Sequence, residues 1–127
     1  MQKGFTALYV VVILGSISLG LVLWLATGSM WALHSAVDGK DSNQAKVLTD
    51  ACAEVALETM RENTSYTGSG NQTIGGNSCS YTVSSDGGDN RTVQVTGTVG
   101  TIVRKLLITT TAFNPLLVSS WQEVADF

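Results

Sequence analysis

The sequence predicts an α+β protein. One long N-terminal helix, apolar all round at first and one-sided later, packs on a small antiparallel sheet of three to four strands. Three observations predict this. Phe5 to Ala26 carries no charged residue and no proline. From Asp41 to Glu62 the apolar residues fall at helical spacing. Beyond Ser78, short runs alternate apolar and polar side chains between glycine-rich turns.

A helix over Phe5–Ala26 rises about 1.5 Å per residue and is about 33 Å long, enough to cross a bilayer. Met30, Trp31, Leu33, Ala36 and Val37 extend the apolar pattern, with Trp31 placed for an interfacial belt. Gly28 and Gly39 are the positions where the helix would bend. In the outer half, Ala45, Leu48, Cys52, Val55 and Ala56 form one stripe. Lys46, Asp50, Glu54, Glu58, Arg61 and Glu62 populate the other face.

By composition, residues 63–78 are a loop. "CSYTVSS" then alternates, with Cys79, Tyr81 and Val83 on one face. "DGGDN" is a turn. "RTVQVTGTV" turns Val93, Val95 and Val99 inward and Thr92, Gln94, Thr96 and Thr98 outward. In "TIVRKLLITTTAF", Arg104 and Lys105 break both alternations, so a bulge is expected there. After Pro115, "LLVSSWQEVADF" gives a short last strand and a tail. The sheet has one face to bury, and the stripe on the outer helix is its cover. Cys52 lies on that stripe and Cys79 opens the first predicted strand. A bridge between them would staple helix to sheet; the alternative is two free buried thiols.

Charge and chemistry exclude several functions. All ten acidic residues follow Val37, together with every basic residue but Lys3, so the outer part is mildly acidic and lacks the basic stripe nucleic acid needs. His34 is the one histidine and sits at the edge of the apolar run, away from any Ser/Asp set. Two cysteines and one histidine do not make a zinc site. Asp86 and Asp89 flank a Gly-Gly turn and read as turn formers. "TGSGNQTIGG" follows a helix and lacks the lysine of a phosphate loop. Asp50, Glu54 and Glu58, one turn apart, read as a solvated face or a charged contact to a neighbour. Asn63, Asn71 and Asn90 stand in N-x-S/T sequons of the kind that Ser/Thr/Asn-rich loops contain by chance. No catalytic set, metal site or cofactor motif emerges, and the chain reads as a non-enzyme.

The opening "KGFTALYVVVILGSISLGLVLWLA" resembles the N-terminal segment of type IV prepilins and pseudopilins, the class III-type prepilin signal. In that family a short basic leader ends in Gly, followed by Phe, Thr and about twenty apolar residues. A membrane peptidase with paired aspartates cuts after the Gly and methylates the new Phe amine. The resemblance implies cleavage between Gly4 and Phe5. It divides the chain into a leader (1–4), a transmembrane and filament-core helix (5–37), an amphipathic outer helix (38–62) and a disulfide-linked loop and sheet (63–127). Family members often carry a disulfide in the C-terminal part, as Cys52 and Cys79 would.

One residue departs from the pattern. Most members have Glu at the fifth mature position, where its carboxylate is thought to neutralise the amine of the neighbouring subunit; here that residue is Tyr9. The departure points to a minor or tip subunit, or to a pilin-like protein that stays in the membrane. The family's helix-breaking proline is also replaced, by Ala26. Gly15, Ser16 and Gly20 form a small-residue patch that lets helices approach closely.

The implied function is a minor pilin or pseudopilin of a type IV pilus or a related secretion or DNA-uptake filament. Its partners would be the membrane, prepilin peptidase, other pilin subunits and the assembly platform. It would be held in the cytoplasmic membrane by a single pass, N-terminus inside and C-terminal domain outside, or displayed in a surface filament. The alternative is an uncleaved single-pass protein with a small extracytoplasmic binding module. A cleaved secretory signal fits less well, because the apolar run is about twice the usual core and its basic region is one lysine.

Overall fold

The computed structural model describes residues 2–127, with side chains from Lys3 onward. One helix, α1 (Gln2–Glu62), is followed by five strands: β1 (Gly68–Ile74), β2 (Asn77–Gly87), β3 (Asn90–Val99), β4 (Ile102–Phe113) and β5 (Leu116–Val124). The predicted α+β class is what the chain adopts. The chain divides into two compact units, one ending at Asp38 and one beginning at Gly39.

In the first unit every described side chain of α1 is exposed. The helix is long and apolar enough to be a candidate membrane span. Its polar residues suit such a setting. The hydroxyls of Ser16, Ser18, Thr27, Ser29 and Ser35 donate to carbonyls of the preceding turn. That spares an apolar solvent from meeting bare donors. The helix α1 includes Gly28 and Gly39.

In the second unit the remainder of α1 lies on the sheet. Ala45, Leu48, Cys52, Ala53, Ala56 and Met60 are buried against Cys79, Tyr81 and Val83 of β2, Val93 and Val95 of β3, and Leu106 and Ile108 of β4. Val55, assigned to this stripe from spacing, packs at its margin and is only partly buried. Thr49 joins the stripe because β3 has a gap to receive it. Gly97 faces the helix, and a methyl placed on it would meet the Thr49 hydroxyl and lie 3.2 Å from the Ala45 carbonyl oxygen. The Thr49 hydroxyl is itself satisfied by the Ala45 carbonyl at 2.7 Å. The helix stops at Asn63, whose side-chain oxygen accepts from the Ser65 amide at 3.1 Å.

The sheet is an antiparallel meander in the order β1-β2-β3-β4-β5. Five strands replace the three to four expected. The extra one, β1, lies inside the stretch read as a loop. Gly75 and Gly76, with φ of 60° and 82°, form a two-residue turn that folds β1 onto β2. The last run is a nine-residue strand. The bulge expected at Arg104–Lys105 is absent, and β4 pairs with β3 in continuous register there. Alternation simply passes through the two cations. Arg104 projects on the helix side, where it donates to Ser42 and to Glu123. Lys105 projects on the other face and pairs with Asp126. The irregular stretch lies further on, between Thr109 and Ala112 against β5.

Candidate functional site

Two sets of residues bear on function: the start of α1, and the surface of the sheet unit. Gly4 stands in the first turns of α1 with open space where a side chain would be, and Phe5 beside it is 72% exposed. Tyr9 is also exposed and points away from the helix axis into its surroundings.

Helical geometry sorts the small residues of the run. Tyr9 and Ser16 are seven residues apart, Ser16 and Gly20 four, and Gly20 and Thr27 seven. At about 100° per residue these four fall within about 40° of one another. They make one face of the first unit with short or hydrogen-bonding side chains. Gly15 is set about 100° to the side of Ser16 and does not belong to it. The expected patch therefore resolves into Ser16 and Gly20, joined by Tyr9 and Thr27.

In the sheet unit, Cys52 and Cys79 are joined in a disulfide, with Cα atoms 6.3 Å apart. Among the described residues no group of three His, Cys, Asp or Glu side chains could hold a metal ion. His34 is exposed on the first unit, away from any such set. Glu58 pairs with Arg61 at 2.8 Å on the open helix face. Asp86, expected in the turn, belongs to β2 and accepts from the Thr92 hydroxyl of β3; the turn itself is Gly88–Asp89.

Sequence reasoning passed over Arg91. It is buried to 8% exposure, yet no carboxylate pairs with it. One guanidinium nitrogen donates to the Gly88 carbonyl at 2.7 Å and the Asn90 carbonyl at 2.9 Å. A second reaches the Thr64 carbonyl at 3.2 Å. The group also lies over the Phe113 ring, 5.3 Å from its centroid. Arg91 thus ties the segment after α1 to the β2–β3 turn and the end of β4. A signal existed: Arg91 has the same parity as Val93 and Val95. Also unmarked were Tyr66 and Trp121. Burial and a hydrogen bond with Tyr81 hold the Tyr66 hydroxyl above its ordinary pKa. Trp121 remains 43% exposed on β5.

Compared with protein-family models, with curated proteins and with solved structures, the chain matches none.

Proposed function

We propose that the chain is a pilin-like structural subunit, of the minor or pseudopilin kind, held in the membrane by the first unit of α1. On this reading it is cut after Gly4, methylated on Phe5 and assembled through that helix with other such subunits. The observation that carries it is a conjunction. The leader-like "KGFT" opens an apolar helix, and the same helix continues as the cover of a disulfide-stapled antiparallel sheet. Tyr9 supports the minor or tip role. It offers a hydroxyl where the family's carboxylate would meet a neighbour's amine, and a buried ammonium without a counter-charge is costly. The Tyr9–Ser16–Gly20–Thr27 face supports close helix packing.

The test is the N-terminal residue of the protein taken from its native host. An N-methylated Phe5 is expected. An intact Met1-Gln2-Lys3 would sink the reading and leave an uncleaved single-pass protein. Gly4→Val should block processing without disturbing the fold, because nothing packs against that position.

A further inference from the structure

β1 and β5 are the two open edges of the sheet. An open edge presents unpaired N–H and C=O groups, and proteins usually blunt it with lysine, proline or inward charge. β1, "GSGNQTI", has no charged residue and no proline. β5, "LLVSSWQEV", has Glu123 as its one charge and an irregularity at Ser119, outside the rows of Trp121 and Gln122. All neighbours in this sheet are antiparallel and the strand count is odd, so β1 and β5 run in the same direction. A second copy displaced sideways without rotation therefore sets its β1 parallel to the β5 of the first. Every copy keeps one orientation, as copies held in one membrane by the same end must.

The register says which residues meet. Gly68, Val83, Val93, Ile108 and Trp121 form one cross-strand row on the helix side. Ser69, Thr82, Gln94, Leu107 and Gln122 form the next row on the opposite face. An unshifted neighbour continues each row, bringing Trp121 beside Gly68 and Gln122 beside Ser69. The sizes are complementary. Trp121 is the bulkiest side chain on its edge. Above Gly68 the nearest atom to a Cβ position is the Tyr66 hydroxyl oxygen, at 3.7 Å.

We propose that the β5 edge of one copy pairs in parallel with the β1 edge of a second copy, Trp121 filling the space over Gly68 against Tyr66. Such aromatic pairs favour edge-to-face contact. The contact is head-to-tail, so it propagates into an open chain or ring instead of closing as a dimer. It adds a lateral contact to the filament reading and needs no cleavage at Gly4.

Full-length chains carrying Ser69→Cys and Gln122→Cys, co-expressed in the native membrane and mildly oxidised, test it. Both positions are exposed, and the native Cys52–Cys79 pair is buried and already bonded. A mixed disulfide dimer is expected, and a ladder from the double variant. Trp121→Ala in the double variant should thin that ladder several-fold. The proposal is overturned if folded variants give no mixed product, or if Ser69→Cys couples with itself as readily. The N-terminal residue of the same sample separates the two readings. Processed Phe5 without a ladder removes this contact alone; a ladder on chains with intact Met1 supports it and removes the processing reading.

Discussion

In β3 every second residue from Arg91 to Val99 is buried; in β5, nine residues long, none is. Both are strands of one sheet. The difference is one of width. Five strands about 4.8 Å apart span about 19 Å, while a helix with its side chains is about 10 to 12 Å across. α1 covers β2, β3 and β4 and leaves β1 and β5 beyond its reach. The centre of the unit is therefore selected for packing, and its flanks are free to carry surface.

The largest break in that contrast comes from the staple under the helix. Replacing both Cys52 and Cys79 by Ser frees a loop of 27 residues' separation. It should cost about 3 to 4 kcal/mol on the chain-entropy account. Denaturant midpoints of the full chain in detergent would show it. A loss no larger than an edge substitution gives would mean that the helix and centre hold together without the bridge.

Next comes the close approach of α1 to β3. Gly97→Ala puts a methyl against the Thr49 hydroxyl and the Ala45 carbonyl. Overpacking of this kind costs about 1 to 3 kcal/mol. The Ala45 carbonyl is backbone and cannot turn aside, so Thr49→Ala in the Gly97→Ala background should recover only part of the loss. Full recovery would place the tight contact in the side chain instead of the backbone.

The same geometry explains what could be read from sequence. β2, β3 and the outer helix were legible because burial on one face writes a period of two or of 3.6 into their side chains. Val93, Val95 and Cys52 are examples. β1 was not legible, because no helix lies over it and its inward positions include Gly68 and Gly70. Gly70 has no side chain because the Tyr81 ring occupies that space. A strand with nothing to bury looks like a loop, and only the Gly75–Gly76 turn betrayed it. Arg104 misled for a related reason. It lies on the inward parity between Ile102 and Leu106, opposite Gly97, where it reaches Ser42 and Glu123. Of the residues on which the proposed function rests, Gly4, Phe5 and Tyr9 are read from the sequence alone. The edge contact needed the register.

A smaller, paired comparison tests the width argument directly. Ile108→Val, in a fully buried site on β4, should cost about 0.5 to 1.5 kcal/mol. Val118→Ala on β5 removes more carbon from a half-exposed site and should stay within about 0.5 kcal/mol. Thermal midpoints in detergent rank the two. If Val118 proves the costlier, something covers β5, and the expected cover is the second copy: the loss should then shrink on dilution of the protein.

The smallest effects are electrostatic, and both lie at the flanks. The hydrogen bond from Lys105 holds the Asp126 carboxyl below its ordinary pKa, with the Phe127 amide and the Lys105 charge adding to it. A depressed carboxyl stabilises the fold above its unfolded pKa, and that contribution fades as pH falls through the folded value. Tyr66 has the opposite sign of dependence. Burial raises its pKa first, and the hydrogen bond with Tyr81 raises it further, so the fold favours the neutral phenol. Its contribution is complete below the unfolded pKa near 10 and is lost as pH rises through the folded value. Asp126→Asn should therefore flatten only the acid limb of the thermal midpoint against pH, and Tyr66→Phe only the alkaline limb. Asp126 is accessible to solvent and salt, so 1 M NaCl should erase most of its effect. The Tyr66 effect, which begins with burial, should persist. An alkaline limb that salt abolishes would show that charge, not burial, sets the behaviour of that edge.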